Sequence, residues 1–270
     1  MDLGLRGRTA VITGGSTGIG KAAALGFAAE GVNLVLLSRT KETLEAAADE
    51  IRAAHNVEVF AIPTDITDSE AVNKAAAMTA ERFGAVHILV NNAGHRMRRL
   101  DRQIFWDDDD WLADINGKTV GMLRVLRAFL PQMVTDGTGS IINVGGIAGT
   151  SIYENALTHG LNNSAMHHIT GYMAYDFAAE NIRVNAVIPG LIATEWRQDW
   201  ADMMAEKLNV SRDEFLAQYC AQQGIIAGRW GQMKEVADTI VFLASDRASY
   251  INGTRIAVDG GFGVNPRVSA

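Results

Sequence analysis

"TGGSTGIG", residues 13–20, decides how the rest of this chain is read. It ends an apolar run that starts at Thr9 and opens the first helical pattern. In a strand–turn–helix context each glycine has a separate task. Gly14 permits the tight turn, Gly18 lets backbone approach a pyrophosphate, and Gly20 lets the helix pack close to the sheet. The unpaired N–H groups at the helix start then face an anion. The stretch therefore predicts a strand, a phosphate-binding turn and a helix, in that order.

Working outward, six more apolar runs follow: "NLVLLSR" (33–39), "VEVFAIPTD" (57–65), "VHILVNNAG" (86–94), "SIINVGG" (140–146), "IRVNAVIPG" (182–190) and "TRIAVDGG" (254–261). They are rich in Val, Ile and Leu, and most end at Gly, Asp or Asn, as strands buried on both faces do. Between them lie segments such as "KETLEAAADEIRAAHN" with apolar residues at helical spacing. Strand and helix in alternation predict an α/β fold, a doubly wound parallel seven-stranded sheet of Rossmann type with helices on both faces. One domain, residues 1–270, accommodates all of it, with no repeat or low-complexity linker. Ligands of such sheets bind beyond the carboxyl ends of the strands, so chemistry is expected just after Gly14, Ser38, Asp65, Asn91, Val144 and Pro189. The segment from about 195 to 228 breaks the rhythm, with Trp196, Trp200, Met203, Met204, Phe215 and Tyr219 among charges. It reads as a substrate lid after the sixth strand, or else as a helical pair packed on the sheet.

Composition narrows the function classes. The chain has 270 residues, 48% hydrophobic and 20% charged, with net charge −7. That balance suits a globular protein and offers no basic surface for nucleic acid. The basic run "RMRRLDR" (96–102) is offset by "DDDD" at 107–110 and reads as a solvated loop. A single cysteine, Cys220, excludes an internal disulfide and fits a reducing, cytoplasmic setting. No signal peptide, membrane span or targeting tail is expected from the patterning. His167 and His168 are adjacent and point in different directions on a helix, so no metal site is expected.

The end of the second strand selects the ribose of a bound dinucleotide. An acid there suits NAD(H), whereas an arginine accommodates the 2′-phosphate of NADP(H). Ser38 and Arg39 stand at that point, and no acid follows before Glu42. A carboxylate would repel the phosphate, and Arg39 can clamp it with two charge-assisted bonds, so NADP(H) is expected in preference to NAD(H).

In order and spacing, "TGGSTGIG", "TDITD", "NNAG", Asn116 in a helical segment, "NAVIPG" and "VDGG" resemble the short-chain dehydrogenase/reductase family over nearly the whole chain. The resemblance implies that Gly14, Ser16, Gly18, Ile19 and Gly20 cradle the pyrophosphate, and that Ser38 and Arg39 hold the adenosine ribose and its phosphate. Asp65 and Ile66 would flank the adenine, while Asn92, Ala93 and Gly94 would line the nicotinamide ribose. Pro189, Gly190, Ile192 and Thr194 would hold the nicotinamide. It also implies self-association into dimers or tetramers through "VDGGF" and the helical segments 111–134 and 161–180.

The catalytic half departs from the family. Its members of this length use Asn, Ser, Tyr and Lys; the tyrosine exchanges the proton as hydride moves, and the lysine lowers its pKa. Asn116 matches the first of these, but Gly146, His159 and Asn163 stand at the other three positions. None of Tyr153, Tyr172 and Tyr175 has a lysine four residues on. His159 and Asn163 are four apart, hence on one helix face, and an ordinary imidazole titrates near pKa ~6.5, so His159 is a candidate proton donor. The other reading is a polar residue filling vacated space. Ser151 and Thr158 are candidates for orienting a carbonyl, His95 is a second acid/base candidate, and His55 and His87 read as structural. The expectation is an NADP(H)-dependent oxidoreductase of a small carbonyl, alcohol or conjugated enone. The alternatives are a non-redox lyase, hydrolase or dehydratase on the same scaffold, and a silent NADP(H)-binding protein.

Overall fold

The computed structural model describes residues 2–94, 102–153 and 156–264. Seven strands alternate with nine α-helices among these residues: β1 (Thr9–Thr13), α1 (Gly18–Ala29), β2 (Asn33–Ser38), α2 (Lys41–Ala54), β3 (Val59–Pro63), α3 (Ser69–Phe83), β4 (Ile88–Asn91), α4 (Asp108–Ile115) and α5 (Gly121–Phe129). Then come β5 (Ser140–Val144), α6 (Leu157–Asp176), β6 (Arg183–Pro189), α7 (Glu195–Leu208), α8 (Arg212–Gln223), α9 (Met233–Ala244) and β7 (Arg255–Val258). All six pairings are parallel, in the order β3-β2-β1-β4-β5-β6-β7. Each of the seven apolar runs supplies one strand. Strand order reverses between β1 and β4, and the carboxyl ends there form the crevice expected of a doubly wound sheet.

Alternation along the strands builds two cores. In β1, Ala10 and Ile12 join α1, α2 and α9 through Phe27, Ile51 and Ile240. Val11 points the other way, joining α3, α5 and α6 through Val72, Phe129 and Met173. A strand places successive side chains on opposite faces, so a run that is apolar throughout buries both. Helix starts are chosen by carboxylates: the Asp68 side chain accepts from the N–H groups of Glu70 and Ala71, and that of Asp107 from Asp110. "DDDD" is thus the start of α4, where acidic side chains offset the positive end of the helix dipole.

One feature differs from the sequence expectation. Helix 111–134 is interrupted, because a π-helical turn, Asn116–Val120, joins α4 to α5. The segment after β6 forms two helices, α7 and α8, with a small core of their own around Ala201, Phe215, Cys220 and Trp230. Trp200 packs against Phe215, Tyr219 and Trp230 with ring centroids 5.6, 5.3 and 6.2 Å away. The basic run at 96–101 and His95 lie outside the described residues.

The glycine turn is tight enough to test. Gly14 has φ +67°, which a side chain rarely adopts. A Cβ on Gly20 would sit 2.2 Å from the Gly14 carbonyl oxygen and 2.5 Å from Asn92 Nδ2. Gly20→Ala must push α1 off the sheet, and overpacking of this kind costs on the order of 1–3 kcal/mol. Thermal unfolding should show Tm lowered by several degrees, with dinucleotide binding weakened in parallel; an unchanged Tm would refute the close approach.

Candidate active site

Two strand ends are stapled at the switch point. Thr13 Oγ1 accepts from the N–H groups of Asn92 and Ala93, each at 3.0 Å, and donates to the Val90 carbonyl at 3.3 Å. Asn92 Nδ2 in turn donates to the carbonyls of Thr13 at 3.0 Å and Gly14 at 3.3 Å. The Asn92 amide therefore holds the glycine turn.

Above this staple lies a cleft of about 520 Å³. Gly14, Ser16, Ser38, Arg39, Asp65, Ile66, Asn92, Ala93 and Gly94 all line it. The wall also contains Thr40, Thr43 and Gly117. Ser16 and Ser38 share a hydroxyl hydrogen bond of 2.9 Å, and Arg39 is exposed beside them. Asp65 Oδ1 accepts from Thr67 N and Oγ1 at 2.9 and 2.8 Å. Across the cleft, a Cβ on Gly18 would meet Thr194 Cγ2 at 3.9 Å, so the loop after β6 faces the glycine turn. Pro189 ends β6, and Ile192 pairs with Gly231. A Cβ on Gly190 would strike Asp259 Cα at 2.7 Å, so that position must be glycine for β7 to close on the loop. Size, an apolar floor, backbone donors at the start of α1 and a cationic rim fit a dinucleotide.

The three altered positions converge. A Cβ on Gly146 would lie 3.5 Å from Asn163 Nδ2 and 3.6 Å from His159 Nε2. A side chain there would touch both groups at ordinary van der Waals distance, so positions 146, 159 and 163 face one another. Asn163 is fully buried on α6, and its Nδ2 donates to the His159 carbonyl at 2.8 Å. Its Oδ1 accepts from Lys118 Nζ at 2.9 Å.

Lys118 is the group that sequence reasoning passed over. It rides the π-helical turn, a feature often found at functional sites. Its side chain runs beside Gly94, where a Cβ would meet Cδ at 3.4 Å and Nζ at 3.8 Å. Burial lowers its pKa to about 8, partly countered by Asp114. An ammonium thus stands at the lip of the cleft, supplied by a different helix from the one that carries it in the family pattern. One signal pointed to it: between Lys74 and Lys207 the chain has no other lysine. A small cavity of about 10 Å³ adjoins Lys118, Asn91, Thr119 and Asn162, near the lower bound of the space one water needs.

His159, the candidate proton donor, is partly buried near two cations. Burial first, then the charges of Lys118 and Arg197, lower its pKa to about 4. These surroundings favour the neutral ring, which can accept or share a hydrogen bond. Asn116, the other candidate on the helical side, is tied to the cleft wall. Its Oδ1 accepts from Arg124 Nη2 at 3.0 Å, and Arg124 reaches the Ile66 carbonyl at 2.6 Å, so the amide braces the cleft wall. Thr158 is buried and receives Gln103 Oε1 on its backbone N–H at 2.9 Å; no bond joins it or Ser151 to the Lys118 group among the described residues.

The chain and its fold have known relatives. Residues 14–263 match the family model described as enoyl-(acyl carrier protein) reductase. Galactitol 2-dehydrogenase (L-tagatose-forming) of Cereibacter sphaeroides is 37% identical over 262 residues, 96% of each chain. L-sorbose reductase of Gluconobacter frateurii, solved with NADPH and L-sorbose, superposes with a TM-score of 0.90 at 31% identity, covering 97% of this chain and 98% of the other. An NADPH-bound short chain oxidoreductase of Pseudomonas aeruginosa PAO1, noted for an atypical catalytic center, superposes at 0.85 with 28% identity, covering 97% and 98%. Sheet order, glycine turn and these likenesses together make the chain a member of the short-chain dehydrogenase/reductase family of oxidoreductases.

Proposed function

We propose that this protein is an NADP(H)-dependent oxidoreductase that interconverts a small carbonyl compound and its alcohol, with Lys118 as the proton-exchanging group. The observation that carries the reading is the buried Lys118 amine, hydrogen-bonded to Asn163 and set beside Gly94 at the edge of the cleft. The relatives that act on galactitol or bind L-sorbose with NADPH support a polar carbonyl–alcohol substrate and that cofactor.

Bound NADP(H) would supply or take the hydride; the rest falls to this chain's residues. Ser16, Gly18, Ile19 and Gly20 would present the glycine turn and the start of α1 to the pyrophosphate. Ser38 and Arg39, with Thr43, would receive the 2′-phosphate. Thr194, capping α7, would hold the carboxamide side. In the reducing direction the ammonium of Lys118 gives its proton to the substrate oxygen as charge develops there, and it is left as a neutral amine. In the oxidising direction the amine takes that proton back. A group with pKa about 8 suits both tasks near neutrality, where an unshifted lysine would be too weak an acid. Asn163 fixes the amine through its Oδ1, and neutral His159 accepts from the substrate or orients it. The loss of tyrosine is thus met by bringing the lysine itself to the reacting oxygen. Helices α7 and α8 would close over the substrate as a lid, and the chain would assemble as a dimer or tetramer.

Three outcomes follow. Fluorescence titration should give much tighter binding of NADPH than of NADH, and Arg39→Asp should erase the preference, weakening NADPH about tenfold or more, the worth of a charge-assisted contact; equal affinities in the parent protein refute the cofactor assignment. Lys118→Met should lower kcat by about 10²–10⁴ while NADPH still binds, and a variant with unchanged kcat removes Lys118 from the mechanism. Because the reduction needs protonated Lys118, its rate should be sustained below about pH 8 and fall above it, with the oxidation following the opposite slope; a reduction rate that already falls as pH rises through about 6.5 points to a histidine acid instead.

A further inference from the structure

The helix pair after β6 holds a cation that hydride and proton transfer do not use. Arg197 is in the first turn of α7, three residues past Thr194, and partly buried. Its Cζ lies 5.6 Å from the Trp196 ring centroid, and it has no hydrogen bond or ion pair among the described residues. Every other arginine on α7, α8 or the turn after them has an acid: Arg212 reaches Asp202 at 3.2 Å and Arg229 reaches Glu235 at 2.7 Å. Burial lowers the Arg197 guanidinium pKa from its ordinary value, in keeping with its partly buried place.

Its neighbours are aromatic and likewise unsatisfied. Tyr153 stacks on Phe262 with centroids 5.6 Å apart, and its hydroxyl is buried with no hydrogen-bond partner among the described residues. Burial raises the pKa of Tyr153, with Tyr219 adding to the rise, while the charge of Arg197 opposes it. The carboxylate that bears on Tyr153, Asp259, is held by its own turn, accepting from Gly261 N at 2.9 Å. The charge of Arg197 also reaches His159, as does that of Lys118. Leaving a guanidinium desolvated without an anion is costly, and a buried hydroxyl without a partner is too.

We infer that Arg197, assisted by the Tyr153 hydroxyl, is the specificity-determining group for a substrate carrying a carboxylate close to its reacting carbonyl, as in a 2- or 3-oxo acid. The assignment rests on the carbonyl–alcohol reading above and narrows its substrate class. A carboxylate oxygen pair matches the fork of the guanidinium, accepting two parallel N–H bonds, with the phenol donating a third. Lys118 and Arg197 then divide the work on one small molecule, one at the oxygen being reduced and the other at the permanent charge. Tyr219 and the Trp200 cluster supply the apolar wall beneath.

The test uses the NADP⁺-loaded protein, which binds a carbonyl without turning it over. Calorimetric titration with benzoylformate and with acetophenone should show the acid bound at least about tenfold more tightly, the worth of a hydrogen bond to a charged group. Arg197→Met should abolish that preference, Arg197→Lys should keep part of it, and Tyr153→Phe should reduce it. NADP⁺ affinity equal to the parent's identifies the folded variants. Equal binding of the two compounds, no binding of benzoylformate, or a preference that survives in folded Arg197→Met each overturns the inference. Following NADPH consumption with the same pair separates the two claims. Acid-selective binding through Arg197 with no oxidation of NADPH by any carbonyl sinks the redox reading alone, whereas acid and ketone reduced equally well sinks this one alone.

Discussion

Thr13 and Asn92 close the sheet at the point where strand order reverses. One hydroxyl accepts two backbone N–H groups from the end of β4, and one carboxamide donates to two carbonyls at the end of β1. Buried backbone groups at a strand end have no ladder partners, and leaving them unpaired is expensive. The staple satisfies them and holds the two βα turns in contact. Because Asn92 Nδ2 also stands against Gly14 and Gly20, the same contact limits how near α1 comes to the sheet. The cleft walls, the loop after β6 and the helices that carry Lys118 and Asn163 all take their positions from this edge.

Electrostatics at the reacting end follow from burial more than from close pairing. Lys118 has a hydrogen-bond acceptor in Asn163 but no carboxylate within ion-pair distance among the described residues, so desolvation dominates and its proton becomes easier to give. The family pattern uses a lysine to tune a tyrosine. Here an amide replaces that lysine on α6, and a lysine from the π-helical turn meets it, so the cation is kept although its position in the sequence has moved. His159 fills the space beside Gly146, and burial first, then the charges of Lys118 and Arg197, lowers its pKa. The π turn matters because it inserts one extra residue into the helix, which changes the direction in which residue 118 projects.

The helices after β6 are a separate packing unit with their own aromatic core. Phe262 packs against both that core and the small cluster of Ile147, Ala186 and Ile188, so it ties α7 and α8 to the sheet edge.

Sequence alone determined the seven strands, their parallel pairing, the glycine turn and part of the cleft lining, because each rests on local rules. Apolar runs bounded by turn residues report burial on two faces, and a glycine turn between strand and helix reports an anion site. Sequence spacing also singled out Gly146, His159 and Asn163, which the fold places side by side. It passed over Lys118. Lys118 and Asn163 are 45 residues apart and meet only because α5 and α6 flank the same strands, and the π turn that aims Lys118 leaves no mark in apolar periodicity. The state of His159 was likewise out of reach, since a pKa is set by burial and by charges drawn from the π turn and from α7. The proton chemistry of this site is decided by which helices the sheet brings together, and that is a property of the tertiary structure.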